Sequence, residues 1–273
     1  MTDSARDHWN RRSAAWTATA TRGKSGDDAF NRMLIDEAAI RPGERVLDLA
    51  CGTGDPAISI ALSMQGRGRL TACDLTPAML AAARERAVSL ELTAMDFVAA
   101  DMCALPFAEG SFDCVTCRFG LMFPDDKVAA AREALRALRP GGRVAYMVWG
   151  PYDENPPFHV IRRTVAAFFG EDEGEPPHRH SMGTPGRIES VLDAAGFRRA
   201  GERELRYRRP VENLDSYITR GLQRGYPEKL AALDADGLAR LKAALEQAFA
   251  PFREGAVVYM PNYARLGLGW RED

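Results

Sequence analysis

The chain has 273 residues, 46% hydrophobic and 27% charged, with a formal net charge of −2, and this near-neutral balance excludes a global electrostatic pull towards nucleic acid or an anionic membrane surface. No apolar run approaches the roughly 20 residues of a membrane helix, and "MTDSARDHWNRRSAAW" lacks the apolar core of a signal peptide, so a cytoplasmic location is expected. Five cysteines, an odd count in a long chain, argue against a disulfide scaffold.

In chain order, residues 4–21 read as a helix with Trp9 and Trp16 on one face. "RPGE" at 41–44 is a turn, and "RVLDLA" is the first buried strand. A glycine turn follows, with Asp55 as a candidate helix cap. "PAISIALSM" then opens a helix with Pro56 in its first turn. "GRLTACD" is a second strand ending at Asp74. "TPAMLAAARERAVSL" is a second helix, with Thr76 as an N-cap candidate and Pro77 in first position. "DFVAAD" is a third strand ending at Asp101, and "SFDCVTCRFG" a fourth. "DDKVAAAREALRAL" is a helix that "RPGG" stops, and "GRVAYMVW" a fifth strand. Cys114 and Cys117 are three apart on a strand, so they point to opposite faces and read as structural.

This alternation predicts an α/β fold, a doubly wound and mostly parallel sheet. Beyond Trp149 the pattern changes. Residues 150–186 are rich in proline, glycine and acid and read as a loop-rich excursion around one helix, "HVIRRTVAAFF". "RIESVLDAAGF" is a helix and "RRAGERELRYR" a strand, its arginines interleaved with acids as on a solvated face. Residues 211–253 are mostly helical, with a slip in the apolar stripe near Asp234-Ala235-Asp236, and "AVVYMPNYARLGLG" is a last strand. The expected division is an N-terminal helical cap (1–40), a ligand-binding core (41–150), a cap insertion (151–185), the core continued (186–207), a helical cap (208–255), and a last core strand with its tail (256–273).

Gly52-Thr53-Gly54-Asp55-Pro56-Ala57 fits the loose G-x-G-x-x-A pattern of a dinucleotide turn. Asp48, four residues before Gly52, argues against that ligand, because a pyrophosphate wants backbone N–H donors and no carboxylate. In doubly wound sheets ligands bind beyond the C-terminal ends of the strands. Asp48, Asp74 and Asp101 each fall at or near such an end. A ligand that carries an ammonium, a sulfonium and an adenosine uses the same turn differently. Asp48 meets its cationic end, the glycines let the backbone approach closely, and Asp74 accepts from both ribose hydroxyls. Asp101 accepts from the adenine amine. S-adenosylmethionine, leaving as S-adenosylhomocysteine, is that ligand.

"VLDLACGTGDPA", "ACDLTPAML", "ADMCALPFAEGSFDCVTCRFGLMF" and "ALRPGGRVAYMVW" resemble the successive motifs of the class I S-adenosylmethionine-dependent methyltransferases. The resemblance is greatest to the bacterial small-molecule branch that contains the ubiquinone and menaquinone C-methyltransferases. It covers residues 42–150 strongly, and 186–207 and the Trp9–Trp16 entry more weakly. It implies that Asp48, Gly52, Thr53 and Gly54 form the first motif. Gly52 and the backbone near Arg118 hold the methionine part. Asp74 is the ribose acid, Leu75 lies beside the adenine with Met79 near it, and Asp101 and Met102 clamp the adenine. Residues 118–123, with Phe119 and Phe123, lie near the methyl group. The implied fold is a Rossmann-like, seven-stranded sheet with helical caps, whose last strand, "AVVYMPNYA", runs antiparallel.

Asn155-Pro156-Pro157-Phe158 resembles the N-P-P-[YF] signature of methyltransferases of planar amino groups, but it follows the fifth strand rather than the fourth. It is expected to be a proline-stiffened loop. Methyl transfer is an in-line displacement in which alignment is worth up to ~7–11 kcal/mol. A base is needed only where the nucleophile loses a proton. His159, expected in a loop over the pocket, is the first candidate and Tyr152 a second, while His178 and His180 read as a solvated loop. Trp9, Trp16, Phe119, Phe123, Phe158 and Tyr217 are the candidates for an apolar pocket around a flat acceptor. No metal is expected. The expected activity is methyl transfer to a small-molecule acceptor, aromatic, quinone-like or a natural product, with O, N and C all open. The alternatives are an N-methyltransferase of a nucleic-acid or protein amino group and a non-catalytic S-adenosylmethionine-binding regulator. Neither nucleic acid nor membrane is an expected partner, and a homodimer stays open.

Overall fold

The computed structural model describes residues 28–272, so the expectations for residues 4–21, with Trp9 and Trp16, lie outside the described residues. The first five strands are β1 (Arg45–Leu49), β2 (Arg69–Asp74), β3 (Met95–Ala99), β4 (Phe112–Arg118) and β5 (Leu138–Trp149). In β1 every residue after Arg45 is buried, the near-continuous apolar run of a parallel strand covered on both faces. β6 (Arg198–Val211), β7 (Arg253–Glu254) and β8 (Val257–Trp270) follow. The strand order is β3-β2-β1-β4-β5-β8-β6, with the two-residue β7 paired to β8 off that path. β1 to β5 are parallel and β8 is antiparallel to β5. The path thus has the seven strands and the antiparallel partner that the sequence led us to expect.

The chain divides into two compact units. Of the described residues, the first comprises 28–149, Ser181–Leu205 and 264–272; the second comprises Gly150–His180 and Arg206–Tyr263. In the first, α1 (Ala29–Glu37), α2 (Ala57–Ser63), α3 (Pro77–Ser89), α4 (Lys127–Ala137) and α6 (Arg187–Ala195) flank the strands. α4 starts where Asp126 accepts from the Ala129 N–H at 2.8 Å. It buries Ala130, Ala131, Ala134 and Ala137 in a core with Leu47, Val115 and Tyr146.

The second unit contains α5 (Pro156–Phe169), α7 (Leu214–Gly225), α8 (Pro227–Ala231) and α9 (Ala235–Phe249). Its core gathers Val160, Ile161 and Val165 with Ile218, Leu222, Leu241, Leu245 and Phe249. The slip in the apolar stripe is a helix boundary, because the Asp234 carboxylate accepts from the Gly237 N–H at 2.7 Å and starts α9. Among the described residues no helix is long and apolar enough to cross a membrane.

Three expectations are corrected. Asn155-Pro156-Pro157-Phe158 is not a loop: the two prolines open α5, where their missing N–H groups leave no intrahelical bond unmade. Asn155 is fully buried, donating to the Pro151 carbonyl (3.0 Å) and accepting from the Tyr263 N–H (2.9 Å). His159 therefore lies on a helix. His180 is buried in a short 3-10 turn, His178–His180, rather than solvated, because its Nδ1 lies 2.9 Å from the Gly150 carbonyl. In the last strand, Ala264–Trp270 pairs with Arg143–Trp149, whereas most of "AVVYMPNYA" belongs to the second unit.

Candidate functional site

Parallel strands bring their C-terminal residues to one rim. Asp48 is the penultimate residue of β1, with Ala72 of β2 on one side and Thr116 of β4 on the other. Asp74 ends β2, Arg118 ends β4, and Asp101 lies just past β3 in an isolated bridge to Ala104. The structure brings Asp48, Gly52, Thr53, Gly54 and Asp74 together around one turn.

That turn needs its glycines. Gly52 and Gly54 have φ of +53° and +108°, the left-handed region that a Cβ penalises. At Gly54 a Cβ would also come within 2.8 Å of Ile58 Cδ1. Asp74 ties the turn down. Its Oδ2 accepts from the Gly52 N–H and its Oδ1 from the Thr76 N–H, both at 2.8 Å. Thr76 holds the N-cap position of α3 without a capping bond from its own side chain.

Asp55 is an ion-pair residue rather than the helix cap expected of it. Buried Arg86 on α3 reaches its Oδ2 at 3.1 Å and the Thr53 carbonyl at 2.6 Å. Asn31, buried on α1, donates to Asp55 Oδ1 (3.3 Å) and Ser59 Oγ (2.9 Å). The carboxylate is drawn to the guanidinium because a charge-assisted pair is the stronger bond, while Pro56 occupies the cap position of α2.

Asp48 is fully buried. Thr116 Oγ1 donates to its Oδ1 at 2.6 Å, and Oδ2 has no hydrogen-bond partner among the described residues. Burial pushes its pKa up to about 7 against the opposing influence of Thr116. Burial also raises that of Asp74, against the backbone N–H groups of Thr76 and Gly52. A pair of perturbed acids beside a strained turn marks a candidate functional site.

Met79 is buried, its sulfur 3.8 Å from where a Cβ on Gly52 would sit, and Leu75 is half-buried. Met102 is buried, and Asp101 accepts from the Cys103 N–H at 2.9 Å. Arg118 donates to Asp28 at 2.7 Å. Phe119 follows with φ of +60°, a conformation a phenylalanine adopts only under constraint. It stacks on Trp149 with centroids 3.9 Å apart, and Phe30 meets both rings edge-on. Phe123 is half-buried against the same core.

The remaining candidates belong to the second unit. Tyr152 is buried and donates to Glu173; burial and this carboxylate raise its pKa. His159 is half-buried, with neither ring nitrogen hydrogen-bonded among the described residues; burial, then Arg163, lowers its pKa. Phe158 meets His180 edge-on at 5.0 Å, and Tyr217 meets Phe249 at 5.8 Å. Thr116, Arg86, Asn31 and Trp149 escaped the sequence reading. The pairing of β4 with β1 was the signal for Thr116, since it sets that residue beside Asp48; no local pattern marks the other three.

A sequence profile described as the ubiE/COQ5 methyltransferase family matches residues 27–153. The ubiquinone/menaquinone biosynthesis C-methyltransferase of Edwardsiella ictaluri is 40% identical over 140 residues, 51% of this chain and 54% of that protein. The enzyme of the same description from Xylella fastidiosa is 31% identical over 192 residues, 65% of this chain and 75% of that protein. The chain spans about half the length of several of the curated relatives it matches. Among solved structures, phosphoethanolamine N-methyltransferase 2 of Haemonchus contortus, in complex with phosphomonomethylethanolamine and S-adenosylhomocysteine, aligns with a TM-score of 0.61 at 18% identity, covering 100% of this chain and 61% of that one. A likeness at that identity shows the fold, a Rossmann-like methyltransferase sheet. Together with the rim geometry and the extent of the match to the Xylella protein, these findings establish that the chain belongs to the ubiE/COQ5 methyltransferase family.

Proposed function

We propose that the chain is an S-adenosylmethionine-dependent methyltransferase acting on a small-molecule acceptor of aromatic or quinone-like type. The observation that carries this reading is Asp48: a fully buried acid with one oxygen unpartnered, at the end of the first strand and before a glycine turn. A pyrophosphate beside it would oppose its ionisation further, whereas a cation favours the ionised form.

The residues present fit the cofactor. Asp48 receives the ammonium, and the backbone of Gly52, Thr53, Gly54 and the Arg118 region holds the methionine part. Asp74 serves the ribose, and Leu75, Met79, Asp101 and Met102 serve the adenine. When bound, the cofactor supplies an electrophilic methyl group on its sulfonium. The chain supplies alignment and exclusion of water, for which Phe119 and Phe123 of the first unit are the proposed apolar contacts. Where the acceptor loses a proton, His159 is the proposed base, because burial lowers its pKa and neither ring nitrogen is hydrogen-bonded among the described residues. Tyr152 is the weaker candidate, its proton held by Glu173. The names of the relatives favour a carbon acceptor on a quinone-like ring.

The test is calorimetry with S-adenosylhomocysteine and, separately, NADH, followed by labelled-methyl transfer to demethylated quinones. The expected result is micromolar binding of the first compound, weakened at least tenfold (~1.4 kcal/mol) by Asp74→Ala. Preferential binding of NADH would falsify the reading.

A further inference from the structure

Asp48 and Thr116 face each other in register across β1 and β4, and both side chains are fully buried. The Thr116 hydroxyl donates to Asp48 Oδ1 at 2.6 Å, while Oδ2 is buried without a hydrogen-bond partner among the described residues. An ionised carboxylate removed from water without a counter-charge is costly, and such a group keeps its proton instead.

Among the described residues, no unpaired counter-charge faces Asp48. Arg118, at the end of β4, attracts the carboxylate, but its guanidinium is paired with Asp28 at 2.7 Å. Asp55 on the turn and Asp74 at the end of β2 repel it. The thiols of Cys51, Cys73, Cys114 and Cys117, which also feel Asp48, are held neutral by burial. Thr116 is thus the one hydrogen-bond donor on Asp48 among the described residues.

We infer that Asp48 rests as a neutral carboxyl held by Thr116, and that it releases its proton to solvent when a ligand bearing an ammonium group fills the adjoining site. This rests on the cofactor reading above and adds to it a proton coupling and a positioning residue, Thr116. The O–H bond of the carboxyl breaks and the proton passes to the buffer. The electron pair stays on the carboxylate, whose charge then faces the ammonium, while the Thr116 hydrogen bond is kept.

The sign of the pH effect follows. The ligand takes the ionised form, so affinity is full above the pKa of the free protein and falls as the pH drops through it. With burial placing Asp48 at about 7, the affinity falls about tenfold between pH 8 and pH 6. Thr116→Val removes a donor that favours the carboxylate, so the fall moves to higher pH. Thr116→Ser keeps the hydroxyl and keeps the wild-type profile. A purely structural role for Thr116 would change affinity without moving the pH midpoint.

The deciding experiment is calorimetry of the full chain with S-adenosylhomocysteine at pH 6, in two buffers of different ionisation enthalpy. The expected result is release approaching one proton per ligand bound, and none with 5′-methylthioadenosine, which keeps the adenosine and lacks the ammonium. Asp48→Asn abolishes the release and flattens the pH profile. Tight binding of S-adenosylhomocysteine with no proton released, or equal release with 5′-methylthioadenosine, overturns the inference and leaves the cofactor reading standing. Failure of S-adenosylhomocysteine to bind at any pH removes both.

Discussion

Arg86 is a long, charged side chain, yet it is 4% exposed and spends its guanidinium on the Thr53 carbonyl and Asp55. Asn31 approaches the same carboxylate from α1. The turn around Gly52 and Gly54 is therefore braced from α1 and α3. Removing one member of such a network leaves buried polar groups unpaired, and that, more than the loss of attraction, sets the cost. Arg86→Met is expected to destabilise the protein by roughly 2 kcal/mol, the quarter-exposed Asp55 softening the effect, with a larger proportional loss in S-adenosylhomocysteine affinity. Asp55→Asn in the same background should recover part of the stability. Urea unfolding of the two single variants and the double variant checks this, and full additivity would show that the pair is not coupled.

Among the elements, close packing depends on glycines whose backbone conformation is ordinary. A Cβ at Gly267 of β8 would come within 2.3 Å of Ile188 Cγ2 on α6. Gly267→Ala should therefore force α6 away from the strand at a cost of about 1–3 kcal/mol, measured as a lower unfolding midpoint with an unchanged denaturant slope. Four of the five parallel strands were legible in the sequence because an apolar run meets glycine or proline punctuation, whereas β3 showed only its apolar residues and the acid after it. The fate of Asn155-Pro156-Pro157-Phe158 was not, since its asparagine is satisfied by the Tyr263 N–H, 108 residues away. The same distance problem hid the burial of His180 and the Arg86–Asp55 pair, which made Asp55 look like a helix cap. The acids at the strand ends could be read because a strand end and a turn are local features. Part of what engages their oxygens is distant in sequence, 22 residues for Asp74 with Gly52 and 68 for Asp48 with Thr116.

At the level of the whole chain, the two units respond to acid in opposite directions. In the first, Asp48 has a pKa raised by burial, so it adds stability as the pH falls through about 7 towards the ordinary aspartate range. In the second, burial of His180, opposed by the Gly150 carbonyl and reinforced by Arg179 and His159, brings its pKa down to about 4. The unfolded chain then binds the extra proton, so stability is full above about pH 6.5 and is lost progressively down to about pH 4. At pH 5 the loss is roughly 2 kcal/mol. Hydrogen exchange on the full chain at pH 7 and pH 5, corrected for intrinsic rates, is expected to show weakened protection in 150–180 and 206–263 and none in 45–74. Uniform weakening across both sets would refute the assignment.

The strand order has a consequence for biosynthesis. Residues 264–270 lie between β5 and β6, so the segment of the sheet synthesised last belongs in its interior rather than at its margin. Until it emerges from the ribosome, β5 shows a bare row of amide and carbonyl groups of the kind that invites pairing with another chain. Nascent chains stalled just short of this segment are thus the species most in need of a chaperone.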